Sequence, residues 1–194
     1  MNVSAVILSA GRSSRMGSPK ALLQWRGKSF IENIYENLLG AEFCEIIVVF
    51  SRFSNLPKKI SLKNARYIEN PNPENGMISS FRRALRLLKS KEQNVMLCLV
   101  DHPAVKGRTY QKLVAAARKD RIIIPVFNNK KGHPVIFGAD FIDELLEKEC
   151  PEGAKTIVRS HTDKILEICV DDPGVLLDID TPKDNNRLQT LSKL

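Results

Sequence analysis

A doubly wound α/β fold around a mostly parallel, mixed sheet is the fold class this sequence predicts, and three observations predict it. Short β-branched runs alternate with stretches whose apolar residues recur at helical spacing. The gaps between runs are long enough for crossover helices, which implies parallel pairing with right-handed connections. The first run passes directly into a glycine-containing turn. Strands are expected at residues 3–8, 45–50, 65–68, 95–100 and 121–125, and helices at 30–39, 78–88, 110–119, 139–147 and around 154–160. Beyond residue 130 a strand at 134–137 is followed by two more, 165–170 and 175–179. The turn-forming Asp171-Asp172-Pro173-Gly174 separates these two, so they read as a hairpin that makes the sheet mixed. Thr181 is a good N-cap, Pro182 suits the first helical position, and residues 183–191 read as a closing helix.

The 194 residues are expected to form a single domain, 1–194, large enough to bury its core without disulfides or a structural metal. An apolar fraction of 43% and a charged fraction of 27% are ordinary for a soluble protein, and runs such as 95–100 are far too short to span a bilayer. The start, MNVSAVILSAG, has no basic residue before its apolar run and reads as a buried strand rather than an export signal, so a cytoplasmic location is expected. Cys44, Cys98, Cys150 and Cys169 stand singly, without metal or redox spacing, and are expected to be reduced core or near-core thiols. The net charge of +8 favours anionic partners. Because the basic residues come in scattered pairs with few aromatics among them, nucleic acid is not expected to be the partner, and neither is a membrane.

The segment from Ser9 through Ala10, Gly11, Arg12, Ser13, Ser14, Arg15, Met16, Gly17, Ser18 and Pro19 to Lys20 sets small residues and three cations directly after a buried strand, where α/β sheets bind phosphate. Small residues let backbone N–H groups approach phosphate oxygens, and Arg15 and Lys20 can neutralise the charge on departing pyrophosphate. The spacing matches neither the dinucleotide glycine fingerprint nor the P-loop. Read by itself, the segment is equally a glycine-rich turn with solvated cations. The strand at 95–100 delivers Asp101-His102-Pro103, making Asp101 either a magnesium ligand at a strand end or a helix N-cap before Ala104. Leu177-Asp178-Ile179-Asp180-Thr181-Pro182 offers a second carboxylate cluster, whose Asp178 and Asp180 strand alternation would point to one face. His133 is open to two readings, a substrate contact or a satisfied ring at the start of a strand.

LSAGRSSRMGSPK resembles the LxxGxSxRMGxxK signature of the nucleotidyltransferases that build and modify the molybdenum cofactor. The resemblance runs from Ile7 to the last helix. It implies a Rossmann-like sheet of the nucleotide-diphospho-sugar transferase type, Leu8, Ser9, Ala10, Gly11 and Arg12 around the nucleotide, and Arg15 and Lys20 on the triphosphate. The stretch Asp180-Thr181-Pro182-Lys183-Asp184 is similar to a DTPxD motif whose first aspartate shares Mg²⁺ with the earlier one, here Asp101. Residues 70–80, with Gly76 and Ser80 placed near the base, and the segment Gly132-His133-Pro134-Val135 on the acceptor side both look like the cytidylyltransferase branch. His102 stands where that family usually has glutamine and Ser9 where alanine is common, so His102 joins His133 as an acceptor-side candidate.

The implied reaction is transfer of CMP from CTP to the molybdenum cofactor with release of pyrophosphate. Arg15, Lys20 and Asp101 are its catalytic residues and Mg²⁺ its cofactor. The implied partners are a nucleoside triphosphate, a phosphorylated pterin or molybdenum cofactor and, as a further candidate, a molybdenum hydroxylase. A sugar-phosphate nucleotidyltransferase and a non-catalytic nucleotide or cofactor carrier are the alternatives. An NAD-linked oxidoreductase is disfavoured, because the glycine spacing is absent and Phe50 at the end of the second strand is followed by Ser51 and Arg52 rather than an acid.

Overall fold

The computed structural model describes residues 2–11, 16–52, 54 and 56–191. Its centre is β1 (Val3–Leu8), six residues all buried. Val3, Ala5 and Ile7 enter one apolar cluster and Val6 and Leu8 the other, so the strand needs a layer of helices on each face. On one side β1 pairs in parallel with β4 (Glu45–Phe50), and β4 with the edge strand β5 (Ala65–Glu69). On its other side β1 pairs in parallel with β6 (Asn94–Leu99). The chain therefore winds outward through β4 and β5 and then returns past β1. The carboxyl ends of β1 and β6 flank the point where the winding reverses, which is where an open α/β sheet has its crevice.

The remaining strands are β2 (Gln24–Trp25), β3 (Lys28–Ser29), β7 (Ile122–Phe127), β8 (Lys130–Lys131), β9 (Val135–Phe137) and β10 (Ile165–Cys169). The main sheet runs β10-β7-β9-β6-β1-β4-β5, with β8 attached to β7. Helix α1 (Phe30–Leu39) starts at a capping box between Ser29 and Glu32, and its Ile31, Ile34, Tyr35 and Leu38 form a buried stripe. That stripe and Tyr110, Leu113 and Val114 of a later helix, Gly107–Ala115, cover one face of the sheet. A single turn, α2 (Leu56–Lys59), precedes β5. Helix α3 (Met77–Leu85) covers the other face together with two short helices, Ile142–Glu147 and Lys155–Ser160. With Gly107–Ala115 as α4, these two are α5 and α6, and the closing helix Pro182–Leu191 is α7. Among the described residues, no helix is long and apolar enough to cross a membrane.

The expected strands and helices are present with their ends shifted by a few residues, with one exception. Residues 175–179 form no strand. Pro173–Leu176 is a 3₁₀ turn, and β10 pairs in parallel with β7 instead of forming a hairpin. The cause is Asp172, a buried carboxylate that accepts from the Lys106 N–H (2.8 Å), the Thr109 hydroxyl (2.6 Å) and the Gly174 N–H (3.0 Å). These bonds hold the loop over the start of α4, where Gly174 packs so closely that a Cβ would lie 2.3 Å from the Ala104 carbonyl oxygen. The sheet is nevertheless mixed, because β9 runs antiparallel to both β6 and β7. The hairpin β2–β3, also not anticipated, turns through Arg26 and Gly27, both at positive φ (52° and 76°). Its Trp25 joins Phe30, Ile179 and Leu188 in a small third cluster that fastens α7 to the body. Of the cysteines only Cys98 is in the core; Cys150 is half-buried, and Cys44 and Cys169 are exposed.

Asp172→Ala strands two backbone donors and a hydroxyl, and is expected to lower the unfolding free energy by about 3 kcal/mol. The readout is the urea midpoint at unchanged slope. A variant as stable as the parent would mean that the 172–176 loop is held by other contacts.

Candidate active site

Two strand ends and one turn build the site. At the end of β1, Ser9 ties its N–H and its hydroxyl to the same Val49 carbonyl, each at 2.8 Å, so the strand edge is fixed and Ala10 and Gly11 follow along the crevice. At the end of β6 the Val100 N–H still reaches the Leu8 carbonyl (3.3 Å), which sets Asp101 just beyond it. The Asp101 carbonyl accepts from the Ile179 N–H (2.9 Å), and this single bond brings the 177–180 segment alongside. Asp180 is thereby half-buried at the same edge, whereas Asp178 is exposed. Since the segment is not a strand, the alternation expected to aim both at one face does not operate.

Lys20 enters from the opposite side. It opens a 3₁₀ turn, Lys20–Leu22, whose Ala21 is packed in the core, so its backbone is anchored. Its Nζ lies 3.2 Å from Asp101 Oδ2 and also donates to Asp180 Oδ1. Burial alone would lower the lysine pKa, but the hydrogen bond to Asp180 and the charge of Asp101 outweigh it and the pKa is raised. The ammonium is therefore charged throughout the physiological range. Asp101 Oδ1 is buried and has no hydrogen-bond partner among the described residues, with His102 Nε2 3.9 Å away.

The two aspartates of the 180–184 stretch do different work. Asp184 accepts from the Thr181 N–H (2.8 Å) and hydroxyl (2.6 Å) while its own N–H donates back to that hydroxyl (3.3 Å). This reciprocal cap starts α7, and the hydrogen bonds from Thr181 hold the Asp184 carboxyl below its usual range. Across the crevice, the Asn70 amide donates to the hydroxyls of Ser79 (2.9 Å) and Ser80 (2.8 Å), and its Oδ1 accepts from the Asn72 N–H (3.1 Å). Asn70 thus shapes the loop that leads through Gly76, at φ 81°, into α3.

The resulting cleft has a volume of about 270 Å³. It brings together Leu8, Ser9, Ala10, Gly11, Lys20, Gly76, Ser80, Asp101 and Asp180, all of them singled out from sequence. Pro73 and Met77 also line it and were not foreseen, and Met77 is half exposed at the mouth. Their signal was only their place within the 70–80 segment. Arg12 and Arg15 lie outside the described residues. His102 and His133 are not in the cleft wall. They pack ring to ring beside Asp101, with centroids 5.1 Å apart, and the His133 N–H donates to the Val175 carbonyl (2.9 Å). Each Nδ1 is buried without a partner among the described residues. Burial lowers both imidazole pKa values, that of His133 to about 4 with a further push from His102, so both rings are neutral at pH 7.

The sequence model of the MobA-like NTP transferase domain matches residues 5–165. The chain is 25% identical over 185 residues to the molybdenum cofactor cytidylyltransferase of Escherichia coli K12, covering 94% of this chain and 93% of that one. It is 26% identical over 196 residues to the nicotine blue oxidoreductase of Paenarthrobacter nicotinovorans, covering 96% of each. Among solved structures, Rv0371c of Mycobacterium tuberculosis H37Rv aligns with a TM-score of 0.88 at 27% identity over 98% of both chains. A structure of Rv0371c in complex with manganese aligns with a TM-score of 0.83 at 24% identity, covering 98% of this chain and 99% of that one.

The buried pair of histidines makes stability depend on pH in a defined direction. Unfolded, His133 titrates near 6.5; folded, it resists protonation down to about 4. The unfolded chain therefore binds the extra proton in this window, and the stability present above pH 6.5 is lost as the pH falls toward 4. The difference in Tm between the parent and His133→Gln, measured from pH 7 to pH 4, is expected to shift steadily against the parent. A constant difference would show that the ring is protonated as easily folded as unfolded.

Proposed function

The chain belongs to the MobA-like NTP transferase domain family of nucleotidyltransferases, and from that premise we propose that it transfers CMP from CTP to the phosphate of molybdopterin or the molybdenum cofactor, with Mg²⁺ as the metal. The observation that carries this reading is the convergence of Asp101, Asp180 and Lys20 at the carboxyl edge of β1 and β6, on the wall of the cleft. Cytidine as the base and the cofactor as acceptor draw support from the similarity to the Escherichia coli cytidylyltransferase. A molybdenum hydroxylase as recipient of the product and a cytoplasmic location go with the same reading.

The residues present fit a hard divalent cation. Asp101 and Asp180 supply carboxylate oxygens, one of them the buried and unpartnered Asp101 Oδ1. Among the described residues, no group of three or more His, Cys, Asp or Glu side chains is placed to hold a metal. A cation held by two carboxylates completes its shell with water and substrate phosphates, which is the habit of Mg²⁺. Bound there, it would supply positive charge to the phosphate oxygens in the transition state.

The chain's own residues supply position and charge. Ala10, Gly11, Gly76 and Ser80 seat the nucleotide with its α-phosphate toward Asp101. An acceptor phosphate oxygen attacks the α-phosphorus, the new P–O bond forms as the bond to the bridging oxygen breaks, and pyrophosphate leaves with that electron pair. The acceptor is already an anion, so no side chain has to remove a proton. Lys20, with Arg15 as the signature implies, receives the charge that builds on pyrophosphate.

The similarity to nicotine blue oxidoreductase raises a competing reading, an oxidoreductase, and in an α/β fold of this kind the form to weigh is an NAD-linked one. Against it, β1 leads into Ala10-Gly11 without the dinucleotide glycine spacing, and β4 ends at Phe50-Ser51-Arg52 without the acid that holds the adenosine ribose of NAD. A lysine held between two carboxylates equips a site for phosphoryl chemistry and has no part in moving a hydride.

Pyrophosphate release from CTP, GTP, ATP and UTP, each with molybdenum cofactor or a panel of sugar 1-phosphates, tests the proposal. NADH and NADPH oxidation is measured in parallel. Release with CTP and the cofactor is expected, and release only with a sugar phosphate, or nicotinamide oxidation alone, would replace it. Asp101→Ala is expected to lower kcat by about 10³-fold with Tm maintained, and near-normal turnover would remove Asp101 from the site.

A further inference from the structure

We infer that Asn70 is a positioning residue for the nucleobase: it fixes the direction in which the Ser80 hydroxyl hydrogen-bonds, so that Ser80 meets the base as a donor and the atom of the base seated there is an acceptor. The inference rests on the proposed reading of the cleft as a nucleotide site and deepens it from a contact to the polarity of that contact.

The hydrogen bonds around Asn70 run one way. Asn70 is 4% exposed, and its N–H donates to the Phe50 carbonyl (2.7 Å), which ties its backbone to the end of β4. Its side-chain oxygen accepts from the Asn72 N–H (3.1 Å). A backbone N–H can only donate, so the amide cannot be turned over without setting donor against donor, and its NH₂ group faces the serines. The two protons of that group go to two hydroxyl oxygens, Ser79 Oγ at 2.9 Å and Ser80 Oγ at 2.8 Å. Both serines therefore accept from Asn70, and each keeps one proton to give.

Ser79 gives its proton to the Gly76 carbonyl (2.8 Å), which also takes the Ser79 N–H (3.1 Å). Ser80 is 4% exposed and lines the cleft, and its hydroxyl has no acceptor among the described residues. A buried hydroxyl that already accepts one hydrogen bond lacks only a partner for its own proton. An idle second lone pair costs little beside an unmet donor. Ser80 therefore asks a ligand for an acceptor, and the cytosine ring offers two, O2 and N3.

Asn70→Asp reverses this polarity at nearly constant shape. The carboxylate still accepts from the Asn72 N–H, but toward the serines it presents an oxygen in place of a donor. Ser80 then turns its proton to residue 70 and shows the cleft only lone pairs. CTP binding is measured by titration calorimetry at constant Mg²⁺, with no acceptor present, in the parent, Asn70→Asp, Ser80→Ala and the double variant. Asn70→Asp is expected to weaken CTP about tenfold in the parent and about twofold or less in the Ser80→Ala background, where the hydroxyl is gone. Repulsion between the added charge and the triphosphate acts in both backgrounds and cancels in the comparison. Equal losses in the two backgrounds overturn the inference, because Asn70 then acts on the loop alone. Should Asn70→Asp not fold, 3-deaza-CTP, which has C–H at N3, and 2-thio-CTP, whose sulfur accepts weakly, replace it. At least one is expected to bind the parent about fivefold more weakly than CTP, with the difference lost in Ser80→Ala. Equal binding of all three nucleotides to the parent overturns the inference. A parent that binds no CTP removes the nucleotide reading of the cleft, and the role of Asn70 with it.

Discussion

The parallel pairing of β1 with both β4 and β6 is the constraint on which everything else depends. Six consecutive buried residues cannot lie at an edge or face water, so Val3–Leu8 must run through the middle of the sheet with helices above and below. Because the chain leaves β1 toward β4 and β5 and comes back to β6, the loops after β1 and β6 diverge at adjacent strand ends. The crevice is a consequence of winding, and whatever residues follow Leu8 and Leu99 become its walls.

Within that crevice electrostatics decide the arrangement. Asp101 and Asp180 come from distant parts of the chain and would repel each other at close range; one ammonium bonded to both makes their approach favourable. The contact is braced from outside by structures with no chemical part to play. The Trp25, Phe30, Ile179 and Leu188 cluster holds the hairpin that follows Lys20 against the helix that follows Asp180. Asp184 and Thr181 close the first turn of that helix. Asp172 pins the loop before it to the start of α4.

What could be read from sequence follows the range of the forces involved. Strands buried on both faces announce themselves as apolar runs, and Leu8–Gly11 and Asp101 could be placed at the crevice because strand ends in such a sheet converge there, whereas Asp180 was placed by its likeness to the DTPxD stretch and by a strand that does not form. Val175, Leu176 and Ile179 have equally apolar side chains, but their conformation is decided by Asp172, which reaches Lys106 and Thr109, and by the fit of Gly174 against Ala104. No local pattern contains those contacts. The two-residue strands β2 and β3 are too short to show a period, and Arg26 at positive φ is an unusual turn residue. Lys20 was legible as a phosphate-facing cation. Its position between the carboxylates was not, because it depends on the packing of the 177–180 segment onto Asp101. The same holds for the ring contact between His102, which follows β6, and His133, which precedes β9.

In the proposed reaction the cleft cuts a triphosphate between its α- and β-phosphates and keeps the nucleotide half. Label transfer tests it most directly: the protein is incubated with molybdenum cofactor and CTP carrying ³²P at the α- or the γ-position, and the labelled products are separated. The account predicts α-label in an adduct with the pterin and γ-label in pyrophosphate. Appearance of γ-label on the acceptor, or of neither label while a nicotinamide cofactor is consumed, would contradict it.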